Sequence, residues 1–230
     1  MPFLLLPLLL ALALAPVSTN ALAHDTIRSA VRLDPSPSWP LLFSSDFNES
    51  SIILFTRATN GTWWYDAESG VEVVTRADGR GDRFCGSIHS LDPTPCTNIV
   101  TGGYRYIVFP ELNECCRCCS IEAGCGVTSH NWLAGSDVKY LGTEKKNGLS
   151  TNKWVKQGLK PLYYWATADD TQTPVEIDES ALWPKRYFTF HVDSFVAGEP
   201  IPPELLEVPA NCSDKCPVKS ICSVPGGKLL

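Results

Sequence analysis

The stretch NECCRCCSIEAGCG, residues 113–126, carries Cys115, Cys116, Cys118, Cys119 and Cys125, half of the ten cysteines in the chain. Three chemistries suit so dense a cluster: a zinc site, a thiol redox centre, or a set of disulfides. Structural zinc sites present separate Cys-x-x-Cys or His pairs across a loop. Here Cys115/Cys118 and Cys116/Cys119 overlap, which leaves Cys125 or His130 to supply the other half-site. A redox centre needs a low-pKa thiolate in a Cys-x-x-Cys turn opening a helix, and no helical period follows this cluster. The compartment decides between these chemistries.

Phe3–Ala15 is an uncharged apolar run, followed by Ser18, Thr19 and Asn20 and then the small-x-small step Ala21-Leu22-Ala23. It is too short for a membrane span of ~20 residues and has the layout of a cleaved secretory signal, residues 1–23, with the mature chain starting at His24. Three N-glycosylation sequons agree, at Asn48, Asn60 and Asn211. The expected location is extracellular or the lumen of the secretory route. There an even cysteine count reads as disulfides, which implicates Cys85, Cys96, Cys115, Cys116, Cys118, Cys119, Cys125, Cys212, Cys216 and Cys222. Adjacent cysteines pair with each other only under strain, so Cys115/Cys116 and Cys118/Cys119 should reach four different partners. Cys85–Cys96 is the favoured local bridge, closing the GSIHSLDPTP loop.

The strand signals are short β-branched and aromatic runs separated by turn residues. SIILFTR (51–57), TWWYD (62–66) and VEVVTR (71–76) read as a meander, with ATNG (58–61) as a turn and ADGRGDR (77–83) as a loop. GYRYIVF (103–109), PLYYWATA (161–168) and RYFTFHV (186–192) follow, and the best helix is SHNWLAGS (129–136), with Ser129 as N-cap. The expected class is all-β, an antiparallel sheet, sandwich or barrel stapled by disulfides. It forms one domain over 24–222, with a Cys-rich insertion at 113–126, an irregular Cys-bearing tail at 199–222 and a flexible C-terminus at 223–230.

Charge and motifs exclude several functions. Lys plus Arg number 19 against 25 acids, a net charge of −6, without the basic clusters that nucleic acid or anionic membrane would require. No nucleophile-elbow, zinc-protease or P-loop motif occurs, and no cofactor is implied. Asp169, Asp170, Glu176, Asp178 and Glu179 could be nominated as glycosidase acids, but read better as a solvated loop. Arg80-Gly81-Asp82 matches the tripeptide that integrins read. The aromatics on strands are more informative. An open concave face would explain Trp63, Tyr65, Tyr104, Tyr106, Tyr163 and Trp165 as the lining of an apolar pocket.

YDAESGVEVVTRADGRGDRFC, YRYIVFPELNECCRCCSIEAGCGVTSHNWL, YLGTEKKNGLSTNKWVKQGLKPLYYWATADDTQTPVE and FHVDSFVAGEPIPPELLEVPANCSDKC together resemble a family of secreted, Cys-rich plant and protist proteins of unknown function. In layout the chain is similar to ependymin-related proteins and to bacterial lipoprotein carriers. The resemblance implies a strongly curved antiparallel sheet, a half-barrel with an apolar pocket, and supplies no catalytic residues. The expected function is non-catalytic binding of a hydrophobic or amphipathic small molecule. A secreted enzyme on glycans or lipids and an extracellular interaction or adhesion protein using the 77–83 loop or its glycans are the alternatives.

Overall fold

The computed structural model describes Pro37 and residues 39–52, 56–181 and 185–223. The chain divides into two units, Met1–Leu33 and Asp34–Leu230. The first, with the expected signal peptide, lies outside the described residues, as does the C-terminus from residue 224.

Twelve strands, among the described residues, form one antiparallel sheet. β1 (Leu42–Ile52), β2 (Thr56–Asp66), β3 (Val71–Arg76), β4 (Cys96–Thr101), β5 (Tyr104–Phe109) and β6 (Glu114–Ser120) step outward from the middle to one edge. The chain then crosses to the opposite edge. β7 (Val138–Lys146), β8 (Leu149–Lys156), β9 (Leu162–Thr167), β10 (Pro174–Asp178) and β11 (Lys185–Phe190) step back until β11 lies beside β1. The short β12 (Val196–Ala197) pairs with the start of β1. Among the described residues helical structure is limited to short turns such as α1 (Cys85–Ile88).

The chain contains Asn-Gly twice, with opposite outcomes. Asn147-Gly148 has positive φ at both residues and forms the two-residue turn between β7 and β8, as the twist of a hairpin favours. Asn60-Gly61, expected as a turn, is instead inside β2, with Asn60 opposite Asn48 and Gly61 opposite Phe47. A Cβ at Gly61 would overlap the Thr75 carbonyl oxygen and the Phe47 ring. Glycine there serves close packing within a strand. The run read as one strand, 51–57, ends β1 at Ile52 and begins β2 at Thr56, and its residues 53–55 lie outside the described residues.

Two further expectations give way. Residues 129–136 form successive turns, because the Ser129 hydroxyl donates to Asn131 Oδ1 instead of capping a helix. Residues 174–178 are the strand β10, not a solvated loop, and Glu176 is buried there in an ion pair with Lys146. Pro174 is tolerated because it opens the strand beside a register shift.

The Cys-rich stretch is itself mostly strand. In β6 successive side chains point to opposite faces, so Cys115 and Cys116 diverge and bond to Cys212 and Cys216. A register shift follows Arg117, and beyond it Cys118 reaches Cys222 and Cys119 reaches Cys125. Cys85 is bonded to Cys96, and no cysteine is free. Two sulfur triads, Cys118/Cys216/Cys222 and Cys118/Cys119/Cys125, sit as close as metal ligands would. Every sulfur in them belongs to a disulfide and offers no thiolate. Five disulfides mark an extracytoplasmic protein. No helix among the described residues is long and apolar enough to cross a membrane.

Candidate functional site

Strand alternation sorts the side chains into two faces. Phe43, Phe47 and Glu49 of β1 share a face with Trp63 and Tyr65 of β2 and with Glu72, Val74 and Arg76 of β3. Cross-strand register extends that face to Asn98 and Arg105 on one side, and to Phe188, Ile177, Tyr164 and Trp154 on the other. Asn98 on β4 and Leu162 on β9 line the same cleft although six strand spacings separate them in the sheet order. A flat sheet would hold them about 29 Å apart at ~4.8 Å per strand. The sheet therefore curls, and this face is the concave one.

Half of the concavity is filled. Trp39, just before β1, meets Phe43, Trp63, Tyr65 and Trp132 at ring-centroid distances of 5.2–5.5 Å, mostly edge to face. Trp132 and Leu133 arrive on the segment that crosses from β6 to β7, which is held down where Tyr65 Oη donates to the Thr128 carbonyl at 2.7 Å. Burial first, then Glu72 and Asp66, push the Tyr65 phenol up to about 12. Burial also raises Tyr164. Both phenols therefore stay neutral.

The other half carries charge. Arg76 Nε donates to Glu49 Oε2 at 2.6 Å, and Nη2 lies 3.4 Å from Asp82 Oδ2. Asp82 Oδ1 accepts the N–H groups of Phe84 and Cys85 at the start of α1 and the Asn98 amide. Burial alone would raise the Asp82 carboxyl, but Arg76, the Cys85 N–H, Arg186 and Asn98 together outweigh it and hold the pKa at about 2. Desolvation works against the charged Arg76, yet Asp82 and Glu49 prevail and raise its pKa. Nearby, Arg105 donates to Glu72 and to the Cys125 and Gly126 carbonyls, and Arg186 pairs with Glu179.

Between the filled and charged halves remains a cleft of about 220 Å³. Trp39, Trp63, Trp132, Leu162, Ile177 and Phe188 form its apolar wall, and Arg76, Asp82, Arg83, Asn98, Arg105 and Arg186 line the polar one.

Of the six aromatics expected to line a pocket, Trp63 and Tyr65 are on the concave face, and only Trp63 reaches the cleft. Tyr104, Tyr106, Tyr163 and Trp165 alternate onto the opposite face. There Trp165 is buried beneath the ammonium groups of Lys146 and Lys153, with its indole N–H on Glu144. Trp39, Trp132 and the arginines carried no strand-period signal pointing inward. A tryptophan in a Pro-rich approach and another in a connecting segment gain their places only when the sheet curls around them.

The integrin-type reading of Arg80-Gly81-Asp82 does not survive. Asp82 is 5% exposed, and both carboxylate oxygens are engaged internally. All three sequon asparagines are exposed, with Asn48 and Asn60 directly opposite on neighbouring strands. Asn211 Nδ2 donates to Asn113.

No family model matches the chain, and no curated protein matches its sequence. The ependymin and plant or protist resemblances gain no support from these searches. Solved structures with similar layout include an uncharacterised conserved protein from Thermus thermophilus, with a TM-score of 0.49 and 8% identity over 76% of this chain and 91% of that one. The lipoprotein LppX from Mycobacterium tuberculosis has a TM-score of 0.41 and 15% identity, covering 65% and 85% respectively. A LolA-superfamily protein from Nitrosomonas europaea gives 0.33 and 7%, covering 74% and 92%.

Proposed function

We propose that the chain is a secreted, non-catalytic binding protein that holds one amphipathic small molecule in the concave cleft. The observation that carries this reading is the division of the cleft into an aromatic and aliphatic wall facing a charged one. Interiors close-pack wherever side chains can fill them. This space is left open between Trp63, Leu162 and Phe188 on one side and Arg76, Arg83 and Arg105 on the other. Convergent polar groups around an apolar hollow are the usual form of a small-molecule site. The volume, about 220 Å³, lies below the ~300–1,000 Å³ of sites for drug-sized ligands, so it suits a single chain or ring and not a two-chained lipid.

The test is native against denaturing mass spectrometry on protein secreted from a eukaryotic host, with Trp63→Ala alongside. A small-molecule mass that stays in the native spectrum and leaves on denaturation is expected, and it should be depleted in Trp63→Ala. A native mass equal to the oxidised, glycosylated polypeptide, together with no uptake from a series of single-chain amphiphiles, ends the reading.

A further inference from the structure

We infer that the ligand of this cleft carries an anionic head group, received by Arg83; this deepens the binding reading above and rests on it. Four arginines and three carboxylates line the cleft, and Glu49, buried behind Arg76, is a fourth carboxylate in the same network. The carboxylates are already answered: Asp82 by Arg76, Glu72 by Arg105 and Glu179 by Arg186. Arg83 makes no hydrogen bond or ion pair among the described residues. Its guanidinium lies 4.6 Å from the centre of the Phe84 ring, and Arg105 lies 4.9 Å from the same centre. Phe84 thus holds two cations at the cleft mouth, and Arg83, the solvent-accessible one, keeps its donors unused.

A second observation lies deeper. Arg76 is 6% exposed, yet its Nη1 has no hydrogen-bond partner. An unmade hydrogen bond on a buried charged donor is costly, and Arg76 lines the same cleft as Arg83. A neutral head can accept a hydrogen bond but leaves the guanidinium charge unanswered, and an ammonium head would be repelled. A carboxylate or phosphate matches the planar guanidinium fork.

The experiment titrates the full secreted chain, followed by tryptophan fluorescence and calorimetry, with four chain-matched probes: decanoate, decyl phosphate, decanol and decylamine. At least one anionic probe should bind about tenfold or more tighter than decanol, as a charge-assisted hydrogen bond of ~1.5–3 kcal/mol implies. Decylamine should bind weakest. Whichever anion binds tighter identifies the head as carboxylate or phosphate. Arg83→Gln should erase the preference by weakening the anionic probes, with the melting temperature unchanged. Equal affinity for decanol and both anions, or a preference that persists in Arg83→Gln, overturns the head-group assignment and leaves the binding reading standing. Failure of the native chain to bind any probe overturns both.

Discussion

The two flanks of the sheet are built from similar antiparallel strands but held by different forces. β4–β6 are packed on both faces. Phe84, Ile107, Phe109 and the Cys85, Cys116 and Cys216 sulfurs form the cluster on one side. On the other, Ile201, Leu205, Leu206 and Val208 of the C-terminal tail cover Val73, Ile99 and Val108. Three disulfides tie that tail to β6 across sequence separations of 97, 100 and 104 residues. The tail also pairs with the edge of β6, where the Arg117 N–H donates to Ser213 O and the Ser213 N–H to Cys115 O. β7–β11 hold no cysteine. Trp154, Tyr164 and Phe188, with Trp39 and Leu133 laid over them, supply the packing. Their edge strand β7 is guarded by Lys139, Lys145 and Lys146 and by a register shift before Gly142, devices that discourage pairing with another chain. An irregular segment such as the tail, most of whose residues are partly or fully exposed, cannot offset its ordering entropy of ~1–2 kcal/mol per residue by burial alone. Cross-linking reduces that cost by restricting the unfolded chain.

Breaking the longest constraints should show the difference most strongly. Changing Cys115, Cys116, Cys118, Cys212, Cys216 and Cys222 to Ala together removes all three bridges that close loops of 97, 100 and 104 residues, worth ~4.7 kcal/mol on the loop-entropy scale. The melting temperature should fall by about 10–15 °C. Hydrogen exchange should rise first in β6 and the tail, and only later around Trp154. Simultaneous loss of protection in both flanks would show that they unfold as one unit.

The opposite flank should break by truncation. Trp39→Ala removes the ring that touches Phe43, Trp63, Tyr65 and Trp132, and large-to-small changes of this kind cost ~3–5 kcal/mol. Denaturant unfolding should register that loss while all five disulfides stay formed. A loss below about 1 kcal/mol would mean that the aromatic cluster is not what holds this flank.

The smallest effect should come from acid. The folded Asp82 pKa is about 2, below its ordinary value of 3.8. Its contribution is therefore complete above pH ~4 and lost as pH falls towards 2, about 2 kcal/mol in order of magnitude. Denaturation midpoints at pH 5 and pH 2.5 should differ more in the native chain than in Asp82→Asn. Equal differences would place the acid sensitivity elsewhere.

Much of this architecture was legible before folding. β3, β5 and β9 announce themselves by β-branched and aromatic runs bounded by turn residues. β1 did not, because seven of the eleven residues of LFSSDFNESSI are polar. Its buried positions include Ser45, Glu49 and Ser51, and Glu49 is tolerated there because it pairs with Arg76 from β3 across the intervening β2. The cleft was only partly legible. The alternation of Tyr104 and Tyr106 against Arg105 and Ile107 was readable from the sequence, but which set faced inward was not. Aromatic content pointed to the tyrosines, whereas the concave face took Arg105, whose charge is answered by Glu72 on β3.

By itself the sequence determined the covalent membership of the framework, the all-β class and the separation of neighbouring cysteines. Each of these follows from local chemistry, namely redox compartment, β-propensity and the two-residue period of a strand. Beyond the local bridge Cys85–Cys96, tertiary structure alone decided which sulfur met which, which face became concave, and that Trp39, Trp132, Arg76 and Arg83 should meet around one cleft. Those outcomes depend on the curl of the sheet and on a connection crossing its inner face. Both arise from contacts between residues far apart in the chain, and no local pattern encodes them.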